Sequence, residues 1–147
     1  MAEIVLVPLA LSSAWMSAVG WYVQLVHYPT FRLVPAEKFA EFHAFHSNLT
    51  GLLVGPPIIV QVLATFGLTL ARDRVPLWMV VASFVLLAAS VGWTAVVSGP
   101  MHLRISAEGP LPQLIDRLIA GCWVRNIAWT AQTILAAWAL LAARSAT

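Results

Sequence analysis

Apolar residues fill four long stretches of the chain, and the polar residues inside each stretch recur at helical spacing. In the first, Ser13, Ser17, Gly20, Gln24 and His27 follow one another at intervals of four, three, four and three, which puts them on one face of a helix. The pattern predicts a helix over 4–27, ending before Tyr28-Pro29 because a residue preceding proline avoids helical dihedrals. Pro35 opens a second helix over 36–70, with Glu37, Lys38 and Glu41 at its polar start. Its inner face reads His43, His46, Thr50, Pro57 and Gln61. Gly55-Pro56-Pro57 is expected to kink this helix and to free carbonyls that neighbours must satisfy. A polar turn, Arg72-Asp73-Arg74, leads to a third helix over 77–98 that carries Ser83, Ser90, Thr94 and Ser98 as its stripe and stops at Gly99-Pro100. An amphipathic stretch over 113–119 precedes a fourth helix over 120–143, whose polar side holds Arg125, Asn126, Trp129, Thr130, Gln132 and Thr133.

Composition decides what solvent these helices meet. The 147 residues are 61% hydrophobic and only 10% charged, against roughly 45–50% and about 25% in soluble domains. So few charges cannot cover so much apolar surface in water. Each run has about the 20 apolar residues that cross a bilayer as a helix, and all are too long for the ~10-residue strands of a membrane barrel. The expected fold is all-α, an integral membrane four-helix antiparallel bundle forming one domain over 1–147. The expected location is a multi-pass one in a bacterial inner membrane, with the lipid bilayer as its first partner. Glu3 stands where a signal peptide has a basic region, and no clean small-residue cleavage site follows, so the first run reads as a retained helix.

Charge excludes one class of partner. A formal net charge of +2 without a basic run offers nothing to neutralise a phosphate backbone, so no nucleic acid is expected. A single cysteine, Cys122, excludes an internal disulfide.

The candidate chemistry lies in the histidines. If the helices alternate in direction, His27, His43, His46 and His102, all the histidines of the chain, gather at one end of the bundle. His27, His43 and His46 also fall on the inner stripe of their helices. Imidazole is the commonest protein metal ligand and suits iron, copper and zinc, and four-helix bundles build metal sites from side chains on facing helices. The bland alternative is that these histidines only hydrogen-bond water or headgroups at the membrane boundary. Met101 and Cys122 raise a Cys-His-Met copper centre, although a lone cysteine is more often a packing residue. A haem b would need only one or two axial imidazoles, pairing His27 or His102 with His43 or His46. Glu41 points away from the pair His43 and His46 and reads as solvated. Arg125 either snorkels to the interface or turns inward with Asn126 to hold an anionic or carbonyl-bearing ligand. Trp21 and Trp123, at the histidine level, are candidates to line a pocket, with Gln24 beside them.

The residues Pro29, Pro100-Met101 and Trp123-Val124-Arg125, with Thr130 following, resemble the pattern of the anthrone-oxygenase-like family of small four-helix membrane proteins. That resemblance implies the same fold and an oxygen-using reaction on a hydrophobic aromatic substrate. The histidines in VHYP, FHAFH and PMH depart from the family pattern and point to a metal-dependent subgroup. The resulting expectation is a membrane oxidoreductase with histidine-ligated iron or copper (zinc being possible) acting on a lipophilic small molecule or quinone. Its rivals are a haem- or pigment-binding subunit of a larger membrane complex and a small metal-free transporter or structural protein; homo-oligomers suit any of them. No serine or cysteine is paired with a base and orienter, so no nucleophilic site is expected.

Overall fold

The computed structural model describes residues 2–145, with side chains described through residue 142. Four continuous helical segments follow one another: α1 (Ala2–Leu33), α2 (Ala36–Ala71), α3 (Leu77–Glu108) and α4 (Pro112–Ser145). The first three are long and apolar enough to cross a membrane. No strand occurs among the described residues.

Two helices run further than the prolines suggest. α1 does not end before Pro29, and α3 does not end at Gly99-Pro100; both continue, to Leu33 and Glu108. In each case a π-helical turn precedes the proline, Val23–His27 in α1 and Thr94–Ser98 in α3. The residue before each proline donates its N–H five residues back, Tyr28 to the Val23 carbonyl and Gly99 to the Thr94 carbonyl. That wider turn relieves the clash between the proline ring and the carbonyl four residues back, which normally ends a helix. The 113–119 stretch is likewise not a separate element but the first turns of α4. Gly109 supplies the break between α3 and α4, with a φ of 84° that other residues adopt only under strain.

α2 stays helical through Pro56 and Pro57. Pro57 cannot donate to the Leu53 carbonyl, and the Trp15 indole N–H of α1 donates to it instead, at 3.0 Å. The carbonyl freed by the proline is thus satisfied by a neighbouring helix, as the sequence requires.

The interior holds many polar side chains, and much of the surface is apolar. Ser12, Ser13, Gln24, Gln61, Ser83, Ser90, Asn126 and Gln132 are all buried, while Leu11, Leu25, Leu52, Phe66, Val85 and Leu141 are exposed. Apolar clusters close the two ends: Leu6, Leu9, Leu68, Met79 and Val80 at one, and Phe31, Phe39, Ile105, Ile115 and Leu118 at the other. α1 and α4 pack most closely. Gly20 makes this possible, because a Cβ there would lie 2.4 Å from Asn126 Oδ1. Asn126 Nδ2 donates to Gln24 Oε1 at 2.6 Å, and Ser17 bonds Thr130 at 2.8 Å across the same seam. α2 meets α3 near its two ends and scarcely between, leaving a lateral cleft beside the π-helical turns of α3.

Candidate functional site

The continuation of α3 past Pro100 carries His102 to the level of His27, His43 and His46. His43 and His46, three residues apart on α2, share its buried face. The π-helical turn of α1 ends on His27, and His102 lies one turn beyond the last π-helical turn of α3. The four imidazoles therefore converge from three helices. His27 Nε2 and His46 Nδ1 are hydrogen-bonded at 2.7 Å, and His43 Nε2 and His102 Nδ1 at 3.1 Å. Across the two pairs, the His46 and His102 ring centres are 5.4 Å apart and those of His43 and His46 6.1 Å.

The rings are held from outside the cluster as well. Ser106 Oγ meets His43 Nδ1 at 3.1 Å, Tyr28 Oη meets His102 Nε2 at 2.9 Å, and Thr50 Oγ1 meets His46 Nδ1 at 3.1 Å. Phe31, fully buried, sets its ring edge-on against His27, His43 and His46 at 5.6, 5.7 and 5.1 Å. Among the described residues, no three His, Cys, Asp or Glu side chains are already set around one metal position; the histidines stand as two pairs.

A cavity of about 230 Å³ adjoins the cluster. Tyr28, His46, His102 and Arg125 form its polar end, and Met16, Val19, Val23, Val54, Ile58 and Trp129 its apolar walls. Ser47, Gly51 and Gly99, which are exposed, form its mouth between α2 and α3. No family model matches this chain, and no curated protein or solved structure matches it either.

Of the two orientations open to Arg125, the structure takes the inward one. Its guanidinium lies over the rings of Tyr28 and Trp129, 6.0 and 5.7 Å from their centres, and Nη2 approaches Tyr28 Oη at 3.5 Å. Asn126 and Gln24 are bonded to each other and join α1 to α4 outside the cavity lining. Trp21 and Trp123 do not line the cavity either. They pack edge to face at 5.3 Å, and the Trp21 indole N–H donates to Thr130 Oγ1 at 3.0 Å. Cys122 donates its thiol to the Leu118 carbonyl and lies in the apolar cluster, and Glu41 is exposed.

Tyr28, Thr50, Ser106 and Phe31 complete the site, and of these only Thr50 lay on a stripe the sequence marks as inward. Tyr28 stands before a proline and Ser106 beyond Gly99-Pro100, both outside the expected helices. Their signal was their interval from the histidines: Ser106 is four residues after His102 and Tyr28 adjoins His27.

Proposed function

We propose that this chain is a four-span membrane metalloprotein of the oxidoreductase class. In this reading His27, His43, His46 and His102 would hold iron or copper, and a lipophilic molecule would lie beside them in the adjoining cavity. The observation that carries the reading is the collection of four imidazoles from three helices, His43 and His46 buried and His27 and His102 partly so, with nitrogens facing at 2.7 and 3.1 Å. Two nitrogens bound to one ion at ~2.0–2.1 Å lie about 3 Å apart when their bonds meet near a right angle. His43 and His102 each turn one nitrogen to the other and have the second held by a hydroxyl, the outer-shell arrangement that orients metal-binding imidazoles. Bringing the two pairs onto one ion takes side-chain rotation, since ring centres across the pairs are already 5.4 and 6.1 Å apart. With nitrogens facing this closely, the histidines would hold a metal by direct ligation rather than as a haem-bound pair. The many exposed apolar side chains and the buried polar ones support the membrane bundle, with α4 proposed as the fourth span.

The metal would supply redox or oxygen-activating chemistry. The protein's own residues orient the imidazoles and place a substrate beside His46 and His102 at the cavity's polar end. A second reading has one specific support. Ser106, His43, His102 and Tyr28 form a continuous hydrogen-bonded chain, which would move protons without a metal. The two separate on single alanine variants of the four histidines, measured for bound metal by elemental analysis. Loss of metal in each variant supports ligation; unchanged content in all four removes it in favour of the relay.

A further inference from the structure

Among the described residues, Arg125 is the only Asp, Glu, Lys or Arg that is buried, at 7% exposure. A guanidinium keeps its charge in any protein environment. Taking that charge out of water into a helix interior is costly unless an anion or several acceptors compensate it. No carboxylate pairs with Arg125 among the described residues. Its Nε has no partner, and Nη2 has only the long 3.5 Å approach to Tyr28. Nε and Nη2 form one edge of the fork, the donor pair that grips a carboxylate through two parallel bonds. This side chain lines the cavity, whose other walls are mostly apolar with Thr50, Thr94 and Ser98 among them, and whose exposed mouth lies between α2 and α3 at Ser47, Gly51 and Gly99.

We infer that the cavity binds a single-chain amphiphile with a carboxylate head, the head on Arg125 beside Tyr28 and His102 and the chain leaving through the α2–α3 cleft into lipid. One arginine matches the single charge of a carboxylate, whereas a phosphomonoester carries about −1.5 to −2 at neutral pH. A volume of about 230 Å³ holds the head end of one chain, and entry from the side suits a molecule already dissolved in the bilayer. The inference names the substrate class of the proposed site; it rests on that site's cavity and not on its metal.

The test is native mass spectrometry of the full chain in detergent, titrated with palmitate, methyl palmitate and dioleoyl-phosphatidylglycerol, before and after treatment with a chelator. Palmitate should bind with one molecule per chain and the ester should not. Arg125→Gln should weaken palmitate about 30-fold or more, the loss expected when one partner of a buried charge pair is removed. Gly51→Leu serves as a second variant, since a Cβ at Gly51 meets nothing within 4 Å and the larger side chain narrows the mouth without disturbing the packing; it should weaken palmitate as well. Palmitate held equally with and without metal upholds the inference even if the metal reading fails. Equal retention of acid and ester, preference for the phospholipid, or palmitate binding unaffected by both variants overturns it.

Discussion

The α1–α4 seam gives the sharpest stability prediction. In Gly20→Ala the new Cβ would stand 2.4 Å from Asn126 Oδ1, 3.1 Å from Asn126 Cγ and 3.4 Å from Trp129 Cε3. Asn126 cannot swing aside freely, because its Nδ2 is bonded to Gln24 Oε1 at 2.6 Å in a buried setting. Overpacking of this kind costs about 1–3 kcal/mol. Breaking an interhelical hydrogen bond in a membrane protein adds about 0.6 kcal/mol, and at most ~1.7. Alanine's better helix propensity returns up to about 1 kcal/mol. The net expectation is a loss of about 1–3 kcal/mol, read by reversible unfolding in mixed micelles. The reasoning lies in the coupling, so the decisive comparison is Gly20→Ala made on an Asn126→Ala background. There the clashing amide is gone, and the substitution should cost about 0.5 kcal/mol or less. An equal cost in both backgrounds would refute the close-approach argument.

Three further outcomes follow from particular contacts. Trp15→Phe removes the donor to the Leu53 carbonyl and should cost about 0.5–1 kcal/mol; adding Pro57→Ala restores a backbone donor there, so the unfolding cost should vanish in the double variant. Tyr28→Phe removes the hydroxyl that holds His102 Nε2 and should weaken metal affinity about 10–100-fold in a chelator competition, as loss of outer-shell support does elsewhere. Phe31→Ala empties the floor under three imidazoles and should destabilise the protein by about 3 kcal/mol or more, while Phe31→Leu, which keeps most of the volume, should retain both fold and metal. A Phe31→Ala protein as stable as the parent would contradict the packing described for that end.

The inward stripes were legible in the sequence because helical spacing survives any detail of the turns. Ser13, Gly20 and Gln24 on α1, His43, His46 and Gln61 on α2, and Ser83, Ser90 and Ser98 on α3 are all buried. The helix ends near Pro29 and Gly99-Pro100 were not legible. A proline's steric rule assumes an ordinary α-helical turn before it, and a π-helical turn, whose N–H bonds five residues back, lifts that rule without a simple sequence pattern to announce it. The same failure hid Tyr28 and Ser106, which sit on the unexpected turns. The side chosen by Arg125 depends on which surface of α4 meets the other helices, and the sequence left both orientations open. Trp21 and Trp123 stand near the expected depth yet pack on each other, because depth along a helix does not specify direction around it.

The central claim is metal ligation by the histidine cluster, and its most direct test is elemental analysis of the full chain purified in mild detergent without a histidine tag. The absorption spectrum and the metal-edge X-ray absorption of the same sample would then report the ligands. The account predicts about one or two equivalents of iron or copper per chain, bound by nitrogen at ~2.0–2.1 Å and without a haem spectrum. Protein free of metal when prepared under conditions that protect labile sites, and unable to take up iron or copper when supplied, would contradict it.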